Sequence, residues 1–239
     1  MNRSVLLVIA ALAAFGSTSS FAQKKDKKVN PAMAEVEDVA GLPRVLLIGD
    51  SISIGYTVPV RKLLEGKANV HRPLVNCGPS TKGLADLDQW LNTGGAGKKW
   101  DVIHFNWGLH DLKYMGPKGR NLADPEESSS QQQVPPAEYE KNLRILAGKL
   151  QATGAKVVWR NTTPVPPGAK GRVVGDSVKY NEIAEKVMKE LKIPTNDLFT
   201  ISKQRMAEMM RPANVHFTPE GNDILAAEVV AAILPLLSE

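Results

Sequence analysis

The sequence predicts an α/β fold built on a mostly parallel sheet. Two observations carry this. Short apolar runs of strand length alternate with longer stretches whose apolar residues recur at helical spacing, the pattern of βαβ units. The first run, Arg44-Val45-Leu46-Leu47-Ile48, stops abruptly at Gly49-Asp50-Ser51 and reads as a buried strand feeding a sharp turn. Ser51 then stands at the carboxyl end of a strand, where open α/β sheets hold their ligands.

The remaining elements follow in order. Strand one covers about Val45 to Ile48, and a helix is expected around Pro59 to Glu65. Asn69 to Arg72 reads as a short second strand. Leu84, Leu87, Trp90 and Leu91 lie on one face of an amphipathic helix. Asp101 to Trp107 is a third strand. Ala137 to Leu150 is a helix with Leu143, Leu146 and Leu150 on one face. Lys156 to Trp159 is the fourth strand, Ser177 to Leu191 a helix, and Ile193 to Leu198 holds a short fifth strand. Pro219 to Leu237 closes the chain as a helix. Between Tyr114 and Pro136 no apolar period exists, and Ser128 to Gln133 is low in complexity; this is a lid or a disordered insertion, and its polarity favours partial disorder. Thr162 to Gly175 is a second irregular stretch. Its run from Pro164 to Gly168 cannot be helical and is expected to wall the site.

The chain has 239 residues and a formal net charge of +5. Arg3 precedes an apolar run from Val5 to Phe15, and a polar stretch ends in Ser20-Phe21-Ala22. This reads as a secretory signal over residues 1–22, cleaved near Ala22, so the protein is expected to be periplasmic or secreted. The run is short for a bilayer span and no lipobox cysteine follows, so no stable membrane anchor is expected. Residues 23–41, lysine-rich at their start, read as a flexible charged arm, and residues 42–239 as one domain. No arginine-rich, aromatic-laced patch exists, which argues against nucleic acid as a partner. The single cysteine, Cys77, excludes an internal disulfide, and the four histidines are scattered, so no structural metal and no cofactor are expected. Oligomeric state is not readable.

Ser51 after Gly49-Asp50 resembles the first block of the SGNH or GDSL hydrolases, a superfamily of serine esterases and lipases whose nucleophile is that serine. Asn214-Val215-His216-Phe217-Thr218-Pro219 resembles the family's last block, where the catalytic histidine opens the final helix. The resemblance runs from Arg44 to Leu237. It implies a flavodoxin-like three-layer α/β/α sandwich with a five-stranded parallel sheet of order 2-1-3-4-5. The motif is not the Gly-x-Ser-x-Gly elbow, a P-loop or a dinucleotide fingerprint, because the next glycine is Gly55 and Tyr56 follows it.

The resemblance assigns Ser51 as nucleophile and His216 as base. It gives the backbone N–H groups of Ser51 and Gly78 to the oxyanion. The family's third block supplies an asparagine donor; here Asn106-Trp107-Gly108-Leu109-His110-Asp111 has His110 in that place. A ring nitrogen of His110 can donate if its tautomer suits. The family's acid stands three residues before the histidine, but this chain has Ala213 there and Asn214 next to it. Asp197, Asn214 and Asp111 are the candidates for an acid or for a group that orients His216. The expected function is an esterase acting on O-acetyl or short acyl esters, on carbohydrates first and lysophospholipids second. The rival is a glycan-binding module of the same fold without turnover, since loss of the acid in a serine triad costs about ten-thousandfold.

Overall fold

The computed structural model describes residues 30–237. The expected secretory signal and the start of the charged arm lie outside the described residues. In chain order the strands are β1 (Arg44–Ile48), β2 (Asn69–His71), β3 (Val102–Phe105), β4 (Tyr114–Met115), β5 (Gln131–Gln132), β6 (Lys156–Arg160) and β7 (Thr195–Asn196). The helices are α1 (Ser51–Leu63), α2 (Ser80–Trp90), α3 (Pro136–Gln151), α4 (Asp176–Leu191), α5 (Leu198–Gln204), α6 (Met206–Met209) and α7 (Pro219–Leu237).

Five strands form one sheet, ordered β2-β1-β3-β6-β7, and every pairing in it is parallel. This is the expected order. β1 is apolar after Arg44 and buried throughout, as a central parallel strand covered on both faces must be. α1 packs on α7, while α2, α3 and α4 pack side by side. The α1–α7 contact is close: a Cβ on Gly55 would sit 2.4 Å from the side-chain oxygen of Asn222. Glycine at 55 therefore serves helix packing.

Four expectations need correction. The first helix begins at Ser51, well before Pro59, which lies inside it. Proline favours the first turn of a helix, and Ile52, Ile54, Thr57 and Val58 are weak helix formers, so the sequence hides the true start. The 114–136 segment is folded, not partly disordered. β4 and β5 pair antiparallel, Tyr114 donates its N–H to Gly171 O at 2.8 Å, and Gln132 donates to Asp176 Oδ2 at 3.1 Å. Backbone and polar bonds hold it, which leave no apolar period in the sequence. α5 and α6 occupy a stretch where no helix was expected. Finally, residues 30–41 are not a loose arm. Ala32 is buried, Arg61 donates to Pro31 O at 2.9 Å, and Asp38 Oδ1 lies 2.6 Å from His71 Nε2. Burial works against ionisation of Asp38, but Lys98, His71 and Arg44 hold its carboxyl down at about 2.

Candidate active site

Ser51 stands where β1 turns into α1. The helix cap is Asp50, whose Oδ1 accepts the Ile52 N–H at 3.0 Å. A capping role for Ser51 is thereby excluded, and its hydroxyl is left for other work. As the first helical residue, Ser51 has a backbone N–H with no partner inside the helix, and the helix dipole adds positive charge there. The turn is tight: a Cβ on Gly49 would lie 2.7 Å from Ser53 Cβ.

His216 is brought across from the loop before α7. Its Nε2 lies 2.9 Å from Ser51 Oγ. On the far side of the ring, Asn214 Oδ1 lies 2.7 Å from Nδ1 and also accepts the His216 backbone N–H at 3.0 Å. A backbone N–H can only donate, so the amide atom facing it must be the oxygen. That same oxygen requires a proton on Nδ1. The Nε2 lone pair is therefore aimed at the Ser51 hydroxyl, which donates to it. Ala213, with φ of 50°, only carries the turn that brings Asn214 round.

Of the three candidates for orienting His216, only Asn214 reaches it. Asp197 caps α5 by accepting Thr200 N–H at 3.0 Å and also accepts from Asn161 Nδ2 at 2.7 Å. Asp111 is wholly buried and accepts the Ser80 N–H at 2.8 Å at the start of α2. Burial pushes its carboxyl up to about 7.

His110 follows β3. Its Nδ1 lies 3.2 Å from Lys113 Nζ. An ammonium only donates, so Nδ1 accepts and the ring proton sits on Nε2. Burial, helped by Lys113, Arg172 and His216 and opposed by Asp50, pushes the His110 pKa down to about 4. His110 is thus a neutral imidazole with an Nε2–H to give. Gly78 departs from its expected role: with φ of 59° it turns its N–H onto Asn76 Oδ1 at 3.0 Å, so that donor is already engaged.

Residues 47–224 match the GDSL-like lipase/acylhydrolase family model. The chain belongs to that family. No curated protein matches it significantly. Solved structures share the fold at low identity. The acetyl xylan esterase AlAXEase is 16% identical, with 80% of this chain and 99% of that one covered and a TM-score of 0.62. A lipase/acylhydrolase from Enterococcus faecalis is 19% identical, with 80% and 95% covered and a TM-score of 0.62. An acetyl-xylooligosaccharide esterase from Geobacillus stearothermophilus is 15% identical, with 84% and 96% covered and a TM-score of 0.62.

Several residues that shape the site of this GDSL-like chain were not legible in the sequence. Arg160, fully buried at the end of β6, donates to Asn106 Oδ1 at 2.6 Å and lies 3.8 Å from Asp50 Oδ1. Asn106 in turn donates to Arg160 O at 2.7 Å. This lattice locks the ends of β3 and β6 beneath the serine turn. Gly108 is fixed too, since a Cβ there would meet Thr162 Oγ1 at 2.0 Å. Arg172, in the loop after β6, binds Leu109 O through Nε at 3.3 Å and Nη2 at 3.2 Å. Burial, then Arg172 and Arg211, lower the His216 pKa against the opposing pull of Asp50. Only the strand-end position of these residues hinted at a role. Among the described residues, no group of three or more His, Cys, Asp or Glu is placed to hold a metal.

Proposed function

We propose that this chain is an exported serine esterase that cleaves O-acetyl or short acyl esters, on carbohydrates. The observation that carries the reading is the 2.9 Å contact of Ser51 Oγ with an Nε2 whose lone pair is fixed toward it by Asn214. His216 takes the serine proton as Ser51 Oγ attacks the ester carbonyl. The N–H of Ser51 and the Nε2–H of His110 supply donors to the oxyanion. His216 then protonates the leaving alcohol, and water cleaves the acyl-enzyme by the same route in reverse. Asn214 in place of a carboxylate lacks the charge but keeps the tautomer, and the kept tautomer supports turnover over mere binding. The carbohydrate preference draws on the acetyl esterases that share the fold. Export rests on the reading of residues 1–22 and cleavage near Ala22.

Hydrolysis of 4-nitrophenyl acetate tests the reading. Ser51→Ala and His216→Ala should each abolish turnover, and the double variant should be little worse than either, because groups acting as one unit are non-additive. Losses that multiply, or a Ser51→Ala variant as active as the parent, would refute it.

A further inference from the structure

Three cations bond residues of the candidate site, and among the described residues none of them makes an ion pair with a carboxylate, although Asp50 attracts both Lys113 and Arg172 from farther off. Lys113 Nζ binds His110 Nδ1 at 3.2 Å. Arg172 grips Leu109 O, the carbonyl just before His110. Arg211 is tied to the His216 loop through its backbone N–H to His216 O at 2.9 Å and its Nε to Phe217 O at 3.2 Å. Several cations elsewhere are paired: Arg44 and Lys98 share Asp38, Arg144 bridges Glu140 and Glu190, and Arg205 pairs with Glu208, whereas the buried Arg72 bonds only Met33 Sδ and the carbonyls of Val75 and Gly49. The carboxylates nearest the site are committed elsewhere. Asp50 caps α1 and stands beside Arg160, and Asp111 holds the start of α2.

Withdrawing charge from water without a counter-charge is costly, so the half-buried Lys113 and Arg172, unlike the exposed Arg211, mark a place where a ligand completes the balance. The donors left over fit one kind of ligand. A guanidinium has five N–H groups. Arg172 commits three of them, from Nε, Nη1 and Nη2, to the carbonyls of Leu109 and Lys170. Two N–H groups remain, the number a carboxylate takes in a bidentate pair. The Lys113 ammonium has further donors beyond the one given to His110. Arg172 also lines a 740 Å³ cavity between the 114–136 and 162–175 segments; Asp124 and Glu126 stand on the same wall, and Ser51 and Lys113 lie outside its lining.

We propose that the ester cleaved at Ser51 carries a carboxylate on its alcohol part, as on an acylated uronic acid residue, and that Arg172 with Lys113 binds it. This rests on the esterase reading. The test compares kcat/KM for a mono-O-acetylated methyl glucuronoside with that for the matching glucuronamide, in which a neutral amide of similar shape replaces the carboxylate. The wild-type protein should favour the glucuronoside by about tenfold or more at low salt, with the preference shrinking as sodium chloride screens it. The ratio should collapse toward one in Arg172→Gln and survive in part in Arg172→Lys. Lys113→Gln gives an independent reduction should the Arg172 variants fail to fold. Equal kcat/KM for the two sugars in the wild type, or a ratio unmoved in both the Arg172→Gln and Lys113→Gln proteins, would overturn the proposal while 4-nitrophenyl acetate turnover leaves the esterase reading standing. Loss of the esterase reading itself would show as failure to cleave any of the three esters.

Discussion

The proton on His216 is placed by an amide. Asn214 accepts both the ring Nδ1–H and the backbone N–H of His216, so it orients the ring as an aspartate would but offers a dipole in place of a charge. The sequence left Asn214 as one candidate among three because a one-residue difference in loop geometry decides which side chain meets the ring. The left-handed turn at Ala213 makes that difference, and nothing in an alanine announces it. Asn214→Asp should therefore raise kcat by about tenfold or more, against the roughly ten-thousandfold that the reverse change costs in a serine protease. The sign of the pH effect follows from charge. In the proposed mechanism His216 works unprotonated, and its pKa is lowered, so the acid limb of the kcat/KM profile should fall below 6.5 in the parent. A carboxylate at 214 favours the imidazolium, so the limb should move to higher pH. A pH–rate profile of both proteins checks this; lower turnover in the variant would show that the amide is tuned to this site.

At the scale of elements, the sheet strands and α2, α3, α4 and α7 were legible as apolar runs or periods, while the start of α1 was hidden by weak helix formers and Pro59. The polar 114–136 hairpin and the short α5–α6 pair were not, because polar bonds and single caps hold them. The start of α2 shows the same limit. Its cap position is Pro79, which offers no side-chain acceptor, and the acceptor comes from Asp111 at the end of the loop after β3. This bond ties the loop that carries His110 to an adjacent helix. Burial raises the Asp111 carboxyl from 3.8 to about 7. The native state thus holds this proton more tightly than the unfolded chain. The stabilising contribution is complete below the unfolded value and is lost as pH rises through about 7. Asp111→Asn keeps an acceptor for Ser80 and removes the titration. Its melting temperature should fall less than the parent's from about pH 5 to about pH 8, and should exceed the parent's at the upper end. Parallel curves would mean that Asp111 does not titrate in this window.

For the whole molecule, sheet order explains why distant residues meet. In the order β2-β1-β3-β6-β7, the chain reverses direction beside β1, and the crevice at such a reversal is where α/β sheets bind ligands. Ser51 follows β1, His110 follows β3 and Arg172 follows β6, so the sheet delivers them to one edge. α7 packs against α1 and brings the His216 loop to the same place. The serine and histidine were readable because two separate motifs flank the domain in family order. The cations Lys113 and Arg172 were not, because they lie in loops whose paths the sequence leaves open. The most direct measurement is covalent labelling of the folded protein with a fluorophosphonate, followed by peptide mapping. A nucleophile activated by His216 should give one adduct per chain, on Ser51, formed in the parent and lost in His216→Ala. An adduct on Ser53 or Ser80, or labelling of Ser51 that proceeds unchanged without His216, would contradict the account.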